Sequence, residues 1–369
     1  MAPGFGVVEG LMLVFGLALC LAGADVFVRS ASRIATRIGI SPLTIGLTIV
    51  ALGTSAPELA VSVRAAAAGE TGIALGNLVG SNITNVWLIL GIVALMAPLA
   101  IHRQVVRTHI PILIAISSLA LALLLDSRLS YFDSILLLVS FAAYLAFLWW
   151  ETTHRERVEL VRESLPASLP SLPQRAAWIN PVVACVGLGS LILGAHWVVQ
   201  ASTQLALALG VGSTLVGLTV VAIGTSLPEL LTSLVASIRG EREIAVGNIV
   251  GSCVFNITCI LGISGLVAGG RQLIDPSITH FAMPVMLLSA IGCLPVFFTG
   301  HAIARWEGAV FLSAYGAFLV YEILASLHDL ASLHLYQAIV RMGIPVITTL
   351  LAISLAREFV HRRQTRSRR

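Results

Sequence analysis

The sequence predicts an all-α polytopic membrane protein: a ten-helix core of two inverted five-helix repeats, followed by an eleventh C-terminal helix. Three observations carry that prediction. First, 57% of the 369 residues are hydrophobic, only 11% are charged, and the mean hydropathy is +0.95. Apolar runs of about 20 residues, each long enough to cross a bilayer, recur along the whole chain. Second, one segment is written twice. Gly46-Leu-Thr-Ile-Val-Ala-Leu-Gly-Thr-Ser-Ala-Pro-Glu58 returns as Gly217-Leu-Thr-Val-Val-Ala-Ile-Gly-Thr-Ser-Leu-Pro-Glu229, 171 residues later. The register holds without a gap through Gly76-Asn77 (Gly247-Asn248), Gly80-Ser81 (Gly251-Ser252) and Asn85 (Asn256). Third, with the N-terminus placed outside, 18 of the 22 basic residues, all Arg, fall on the inner side, as the positive-inside rule requires.

The spans lie near 7–28, 42–68, 73–96, 109–125, 131–150, 179–200, 213–238, 244–267, 278–298, 306–325 and 336–356. The apolar run Leu11 to Gly23 of the first span is preceded by Glu9 and by no positive charge, so it reads as a membrane helix and not as a signal peptide. Spans two and seven carry the duplicated motif, and spans three and eight the Gly-Asn stripe that follows it. Between spans five and six lies the one sizeable polar stretch, Glu151 to Arg175, with Pro166, Pro170 and Pro173. The units are therefore repeat one (1–150), a cytoplasmic linker (151–178), repeat two (179–325), and an extra span with a basic tail (326–369). The eleventh span contains Arg341 and Pro345 and has no counterpart in the first half. The Arg-rich tail beyond Arg357 favours its crossing to the cytoplasmic side.

Five spans separate equivalent positions, and an odd number inverts the second copy. Charge is redistributed to match. Arg29, Arg33 and Arg37, expected in an inner loop, correspond to Gln200, Gln204 and Ala208, and Arg239 and Arg242 correspond to Ala68 and Thr71. Duplicated apolar segments broken by Gly and Pro point to the binding site of a secondary transporter.

Pro57 and Pro228 each remove a backbone donor from the middle of a membrane span. Carbonyls near Ala51, Gly53, Ala222 and Gly224 are expected to lose their partners, which is costly at membrane depth unless something bonds them. The side chains at these breaks are oxygen donors: Thr54, Ser55 and Glu58, then Thr225, Ser226 and Glu229. Asn77, Ser81 and Asn85 form an i, i+4, i+8 stripe in the next span, and Asn248, Ser252 and Asn256 repeat it. Together they make an all-oxygen cage with two carboxylates, which suits a hard cation such as Ca²⁺. An ionisable residue within a membrane span is a functional position by default. The five cysteines fall in apolar spans and read as packing residues. Cys253 stands where the first copy has Asn82. Glycines 76, 80, 247 and 251 are expected to let helices approach closely.

The motifs Gly53-Thr-Ser-Ala-Pro-Glu58 and Gly224-Thr-Ser-Leu-Pro-Glu229, each followed by Gly-Asn-x-Val-Gly-Ser, resemble the alpha repeats of the calcium:cation antiporter superfamily. The nearest branch is that of prokaryotic sodium/calcium exchanger-like membrane proteins, and the resemblance covers spans one to ten. It implies ions bound between spans two, three, seven and eight, and long spans one and six sliding against this core. Carried over, it implies a Ca²⁺ site at Thr54, Glu58, Thr225 and Glu229. It implies Na⁺ or shared cation sites at Ser55, Ser81, Asn85, Ser226, Ser252 and Asn256, with the carbonyls of Ala51 and Ala222. Asn at both 85 and 256, where several sodium-coupled members carry Asp, leaves Na⁺ and H⁺ open as counter-ion. Cys253 departs from the usual Gly-Ser-Asn.

The expected activity is thus antiport of Ca²⁺ against Na⁺, with Ca²⁺ against H⁺ as the alternative, in the inner membrane. Ions are substrates here. No cofactor, nucleic acid or obligate protein partner is expected. An intramembrane enzyme would need an acid-rich metal motif, or a His beside the Ser of a motif, and the sequence has neither. A passive channel fits two opposed half-sites less well than alternating access does.

Overall fold

The computed structural model describes residues 7–96, 99–100, 102, 104–154, 179–209, 222–274, 278–298 and 302–326. The first helix, α1 (Val7–Ile38), is 32 residues long and packs along α7 (Ile179–Ala208). Both outrun the predicted spans 7–28 and 179–200. Arg29, Arg33 and Arg37 therefore ride on the last turns of α1 instead of lying in a loop. Arg is a good helix former, and no breaker intervenes before Gly39, which takes φ +74°. The two helices cross backbone to backbone. A side chain at Gly23 would sit 2.5 Å from the Leu191 nitrogen, and one at Gly194 would sit 2.6 Å from the Gly16 oxygen. Small residues give membrane helices this close approach. The Cys20 thiol donates to the Leu191 carbonyl at 3.5 Å. Those two residues are equivalent under the 171-residue shift, so the crossing straddles the pseudo-two-fold axis.

The second span is a bent pair. α2 (Pro42–Thr54) is capped by Ser41, whose hydroxyl accepts from the Thr44 N–H at 3.1 Å, with Pro42 in the first turn. α3 (Ala56–Ala67) leaves at 48°, with Ser55 at the break. α4 (Thr71–Met96), α5 (Val105–Leu123) and α6 (Tyr131–His154) complete the first half. In the second half α8 (Ala222–Thr225) and α9 (Leu227–Ile238) repeat the break at Ser226. α10 (Arg242–Val267), α11 (Met283–Phe298) and α12 (Arg305–Ser326) follow.

All ten spans expected between residues 7 and 325 have helical counterparts among the described residues. Seven helices and the bent pair are long and apolar enough to cross a membrane, while Leu227–Ile238 and Ile278–Leu294 are shorter apolar segments. The predicted span 336–356 and nearly all of the linker lie outside the described residues. Two short antiparallel ribbons add to the helices: β1 (Leu99–Ala100) pairs with β4 (Ala302–Ile303), and β2 (Arg128–Ser130) with β3 (Arg271–Leu273). Each ribbon joins one half of the chain to the other.

The two most enclosed helices are α4 and α10, with 78% and 89% of their apolar windows buried. Each contains a π-helical turn, Thr84–Ile89 in one and Asn256–Ile260 in the other. Such turns favour functional positions because they re-aim side chains. α2 lies against α10 with almost no spacing. Side chains at Gly247 and Gly251 would meet Leu43 O at 2.8 Å and Leu47 O at 2.7 Å. Among the described residues nothing stands within 4 Å of the corresponding positions at Gly76 and Gly80.

At one end, α1 is tied to the turn between α9 and α10. Asp25 pairs with Arg29 at 3.1 Å and also takes the Arg239 guanidinium. Ser32 donates to Glu241 Oε1 at 2.7 Å. The equivalent positions of the other half are His196, Ala68, Glu70 and Thr203. Ala68 has nothing to offer His196, so the ion pair is one-sided, while Thr203 and Glu70 keep the chemistry of the second contact.

Candidate functional site: a crossed pair of buried glutamates

The chain breaks bring the two copies together. Pro57 lacks the N–H that would bond the Gly53 carbonyl, and the helix turns at Ser55. Pro228 does the same after Ser226. Glu58 and Glu229 enter at the first turns of α3 and α9, both fully buried. Their carboxylates are crossed between repeats. Ser55 donates to Glu229 Oε1 at 2.9 Å, and Ser226 donates to Glu58 Oε1 at 3.3 Å.

The threonines are crossed as well. Thr54 Oγ1 lies 3.0 Å from Asn248 Oδ1, and Thr225 Oγ1 lies 3.5 Å from Asn77 Oδ1. Each asparagine amide then reaches back to the broken helix of its own repeat. Asn77 donates to Glu58 O at 3.3 Å and to Ser62 Oγ at 2.9 Å. Asn248 donates to Glu229 O at 3.3 Å and to Ser233 Oγ at 2.9 Å. Every one of these bonds has a twin displaced by 171 residues.

Two sequence expectations change here. The Ala51 carbonyl keeps partners: the Ser55 N–H at 3.1 Å, Thr54 Oγ1 at 3.3 Å and Ser252 Oγ at 3.5 Å. Pro57 removes only the bond to Gly53, two residues further on, so Ala51 accepts an ordinary helical bond. It enters a cation site only through a carbonyl already engaged. Asn77 and Asn248, read from their stripe as part of the cage, act instead as braces, because their side-chain oxygens accept from the opposite threonines. Ser62 and Ser233 were missed. The signal was present, since each lies four residues after its Glu and recurs in register.

The remaining oxygen donors stand around the carboxylates on α4 and α10. Glu58 Oε2, Glu229 Oε2, Ser81 Oγ, Asn85 Oδ1 and Asn256 Oδ1 are buried and make no hydrogen bond within the protein. Ala222 opens α8. Two buried carboxylates demand compensation, since an isolated ion in a low-dielectric interior is heavily penalised. Among the described residues no Arg or His pairs with either, and no cluster of three or more His, Cys, Asp or Glu occurs. Two carboxylates among neutral oxygens are the kind of donor set that hard cations take.

Comparison with known proteins agrees. A family model described as sodium/calcium exchanger protein matches residues 9–150 and 179–324. The putative antiporter CaxA of Alkalimonas amylolytica is 36% identical over 312 residues, covering 84% of this chain and 97% of that one. The sodium/calcium exchanger MaX1 of Methanosarcina acetivorans is 34% identical over 344 residues, covering 85% and 98%. Among solved structures, the sodium-calcium exchanger NCX_Mj soaked with 2.5 mM Na⁺ and 1 mM Sr²⁺ superposes with a TM-score of 0.72. It is 28% identical and covers 85% of this chain and 98% of that one. A duplicated, crossed, oxygen-lined site in a multi-pass helical membrane protein and these matches over both repeats agree: the chain belongs to the sodium/calcium exchanger family, whose members are cation transporters and not enzymes.

Proposed function

We propose that the protein exchanges Ca²⁺ for Na⁺ by alternating access, with Glu58 and Glu229 as the charged ligands of a shared central site. The observation that carries this reading is the crossed pair of serine–glutamate bonds, one across each half, with the second oxygen of each carboxylate left over. Two carboxylates neutralise one Ca²⁺. Thr54 and Thr225 close the helical segments just before the breaks, four residues ahead of each Glu. The hydroxyls of Ser55, Ser81, Ser226 and Ser252, the amide oxygens of Asn85 and Asn256, and the carbonyls of Ala51 and Ala222 supply neutral oxygens that suit Na⁺. Movement of the α1–α7 pair against the core would expose the site to each side in turn. The protein would sit in the inner membrane with its N-terminus outside and its basic tail in the cytoplasm. A cysteine introduced beyond Arg357 is then expected to label from the cytoplasmic side, and labelling from outside would make the eleventh segment an interfacial helix that does not cross.

Purified protein in liposomes tests the exchange directly. Ca²⁺ uptake is expected when an outward Na⁺ gradient is imposed, and no uptake under that gradient would overturn the reading.

A second reading, Ca²⁺ against H⁺, is favoured by one feature: Asn85 and Asn256 add no charge, so the site carries two full negative charges. Two Na⁺ or two H⁺ balance them as one Ca²⁺ does, whereas three Na⁺ leave an excess charge that Coulomb's law makes costly in a low dielectric. Exchange is therefore expected to be less electrogenic than three Na⁺ for one Ca²⁺. The membrane potential that nulls Ca²⁺ flux at fixed gradients gives the stoichiometry, and a three-for-one value would refute the charge count. Flux driven by a pH gradient and indifferent to Na⁺ would select the proton-coupled reading.

A further inference from the structure

The pseudo-two-fold pairing of bonds also fails beside the central asparagines. Asn256 donates through Nδ2 to Asn82 Oδ1 at 3.1 Å. Its twin would run from Asn85 Nδ2 to a side-chain oxygen at position 253. Residue 253 is Cys and has none. The backbone part of the pairing survives: Asn82 Nδ2 donates to the Cys253 carbonyl at 3.3 Å, and the Cys253 thiol faces the Asn82 carbonyl at 3.9 Å. The central asparagine, Asn85, has the weak Cys253 thiol where Asn256 has an amide oxygen. Both polar atoms of Asn85 lack a hydrogen bond although the residue is 1% exposed, whereas Asn256 lacks one only at Oδ1. Asn82 is further held by a contact of Nδ2 with Met286 Sδ at 3.6 Å.

We infer that residues 82 and 253 are the positioning residues that set how firmly the two central asparagines are aimed, and that Asn82 and Cys253 make the halves of the cation site unequal. Asn82 fixes the Asn256 amide by its nitrogen and so presents Oδ1 ready-made. Cys253 offers the Asn85 amide only its thiol, a weaker partner than an amide oxygen, and so holds it less firmly. A ligand aimed in advance loses little freedom when the cation arrives, and one that must be ordered costs affinity. This inference rests on the reading that the Asn85 and Asn256 oxygens face the transported cation. Neither residue 82 nor residue 253 touches the ion.

The test uses isotopic Ca²⁺–Ca²⁺ exchange by the purified full chain in liposomes, which needs no counter-ion. Asn82→Cys removes the anchor of Asn256 without adding bulk. It is expected to raise the KM for Ca²⁺ about threefold to tenfold, the worth of one net hydrogen bond, with the maximal rate kept. The shift should vanish when Asn256 is already Ala. The converse change, Cys253→Asn, should anchor Asn85 and lower KM by a similar factor, an effect lost in Asn85→Ala. A mere packing role would move KM alike in both backgrounds. Unchanged KM in both Asn82→Cys and Cys253→Asn, or equal shifts with and without the central asparagines, would overturn the inference while leaving the site standing. Wild-type KM in both Asn85→Ala and Asn256→Ala would instead remove those oxygens from the site, and the inference with them.

Discussion

Glu58→Gln and Glu229→Gln are each expected to abolish Ca²⁺ exchange while the protein still inserts and purifies as a folded species. Either change leaves Ca²⁺ facing one carboxylate where two are needed. Removing one partner from a buried charged set costs about 3–5 kcal/mol, which is roughly two to four powers of ten in affinity or rate. A second readout separates loss of the site from loss of the fold. Without cation, the carboxylates are buried with no basic partner, so neutralising one should leave the melting temperature unchanged or raise it. The stabilisation that Ca²⁺ gives the wild type by binding only the native state should disappear. Wild-type flux in either variant would exclude these carboxylates, and a collapse in melting temperature would assign them a structural role instead.

The next largest effect is expected at Gly251. Its hydrogen faces Leu47 O, Leu47 Cα and the Ala51 Cβ, all under 3 Å from where a side chain would begin. Two of those three are backbone atoms, which cannot turn aside. Gly251→Val must push α2 away from α10, at about 1–3 kcal/mol for overpacking or more. The same shift draws Thr54 from Asn248 one turn away. Flux should fall to a small fraction and the melting temperature should drop. Gly72→Ala, on an exposed turn with nothing within 4 Å among the described residues, should change neither. Normal flux in Gly251→Val would show that the helices tolerate wider spacing.

Much of this site could be read from the chain because it is written twice. The 171-residue register alone predicts which residues are equivalent, and the oxygen-rich motif with its buried Glu predicts a hard cation. Contacts between the copies were not legible. Nothing in the order of residues says that Ser55 bonds the glutamate of the other half and not its own. Asn77 and Ser81 share one helix stripe and look alike as donors, yet Asn77 is consumed as a brace while Ser81 is left over. That division depends on the distance between helices. The end of α1 was misjudged for a similar reason. Arg29 interrupts the hydropathy, but helix propensity continues through Ile38, and burial of Ala31 and Ala35 against neighbouring helices supplies the rest. The two ribbons pair segments more than 140 residues apart, which no local pattern encodes.

The tether at Asp25 has a consequence for a machine built from mirror halves. Two equal repeats would make inward and outward strokes equal in depth, like a balanced see-saw. Here any travel of α1 past the α9–α10 turn stretches the contacts of Asp25 with Arg239 and of Ser32 with Glu241. The opposite end has Ala68 and His196 in place of the ion pair, although Thr203 and Glu70 keep the hydroxyl and the carboxylate of the second contact. Asp25 and Arg239 are each about one-third exposed, within reach of screening by dissolved salt. If α1 moves as proposed above, added salt on that one face of the membrane is expected to loosen this tether and to change the exchange rate from that side, while salt on the other face leaves it untouched.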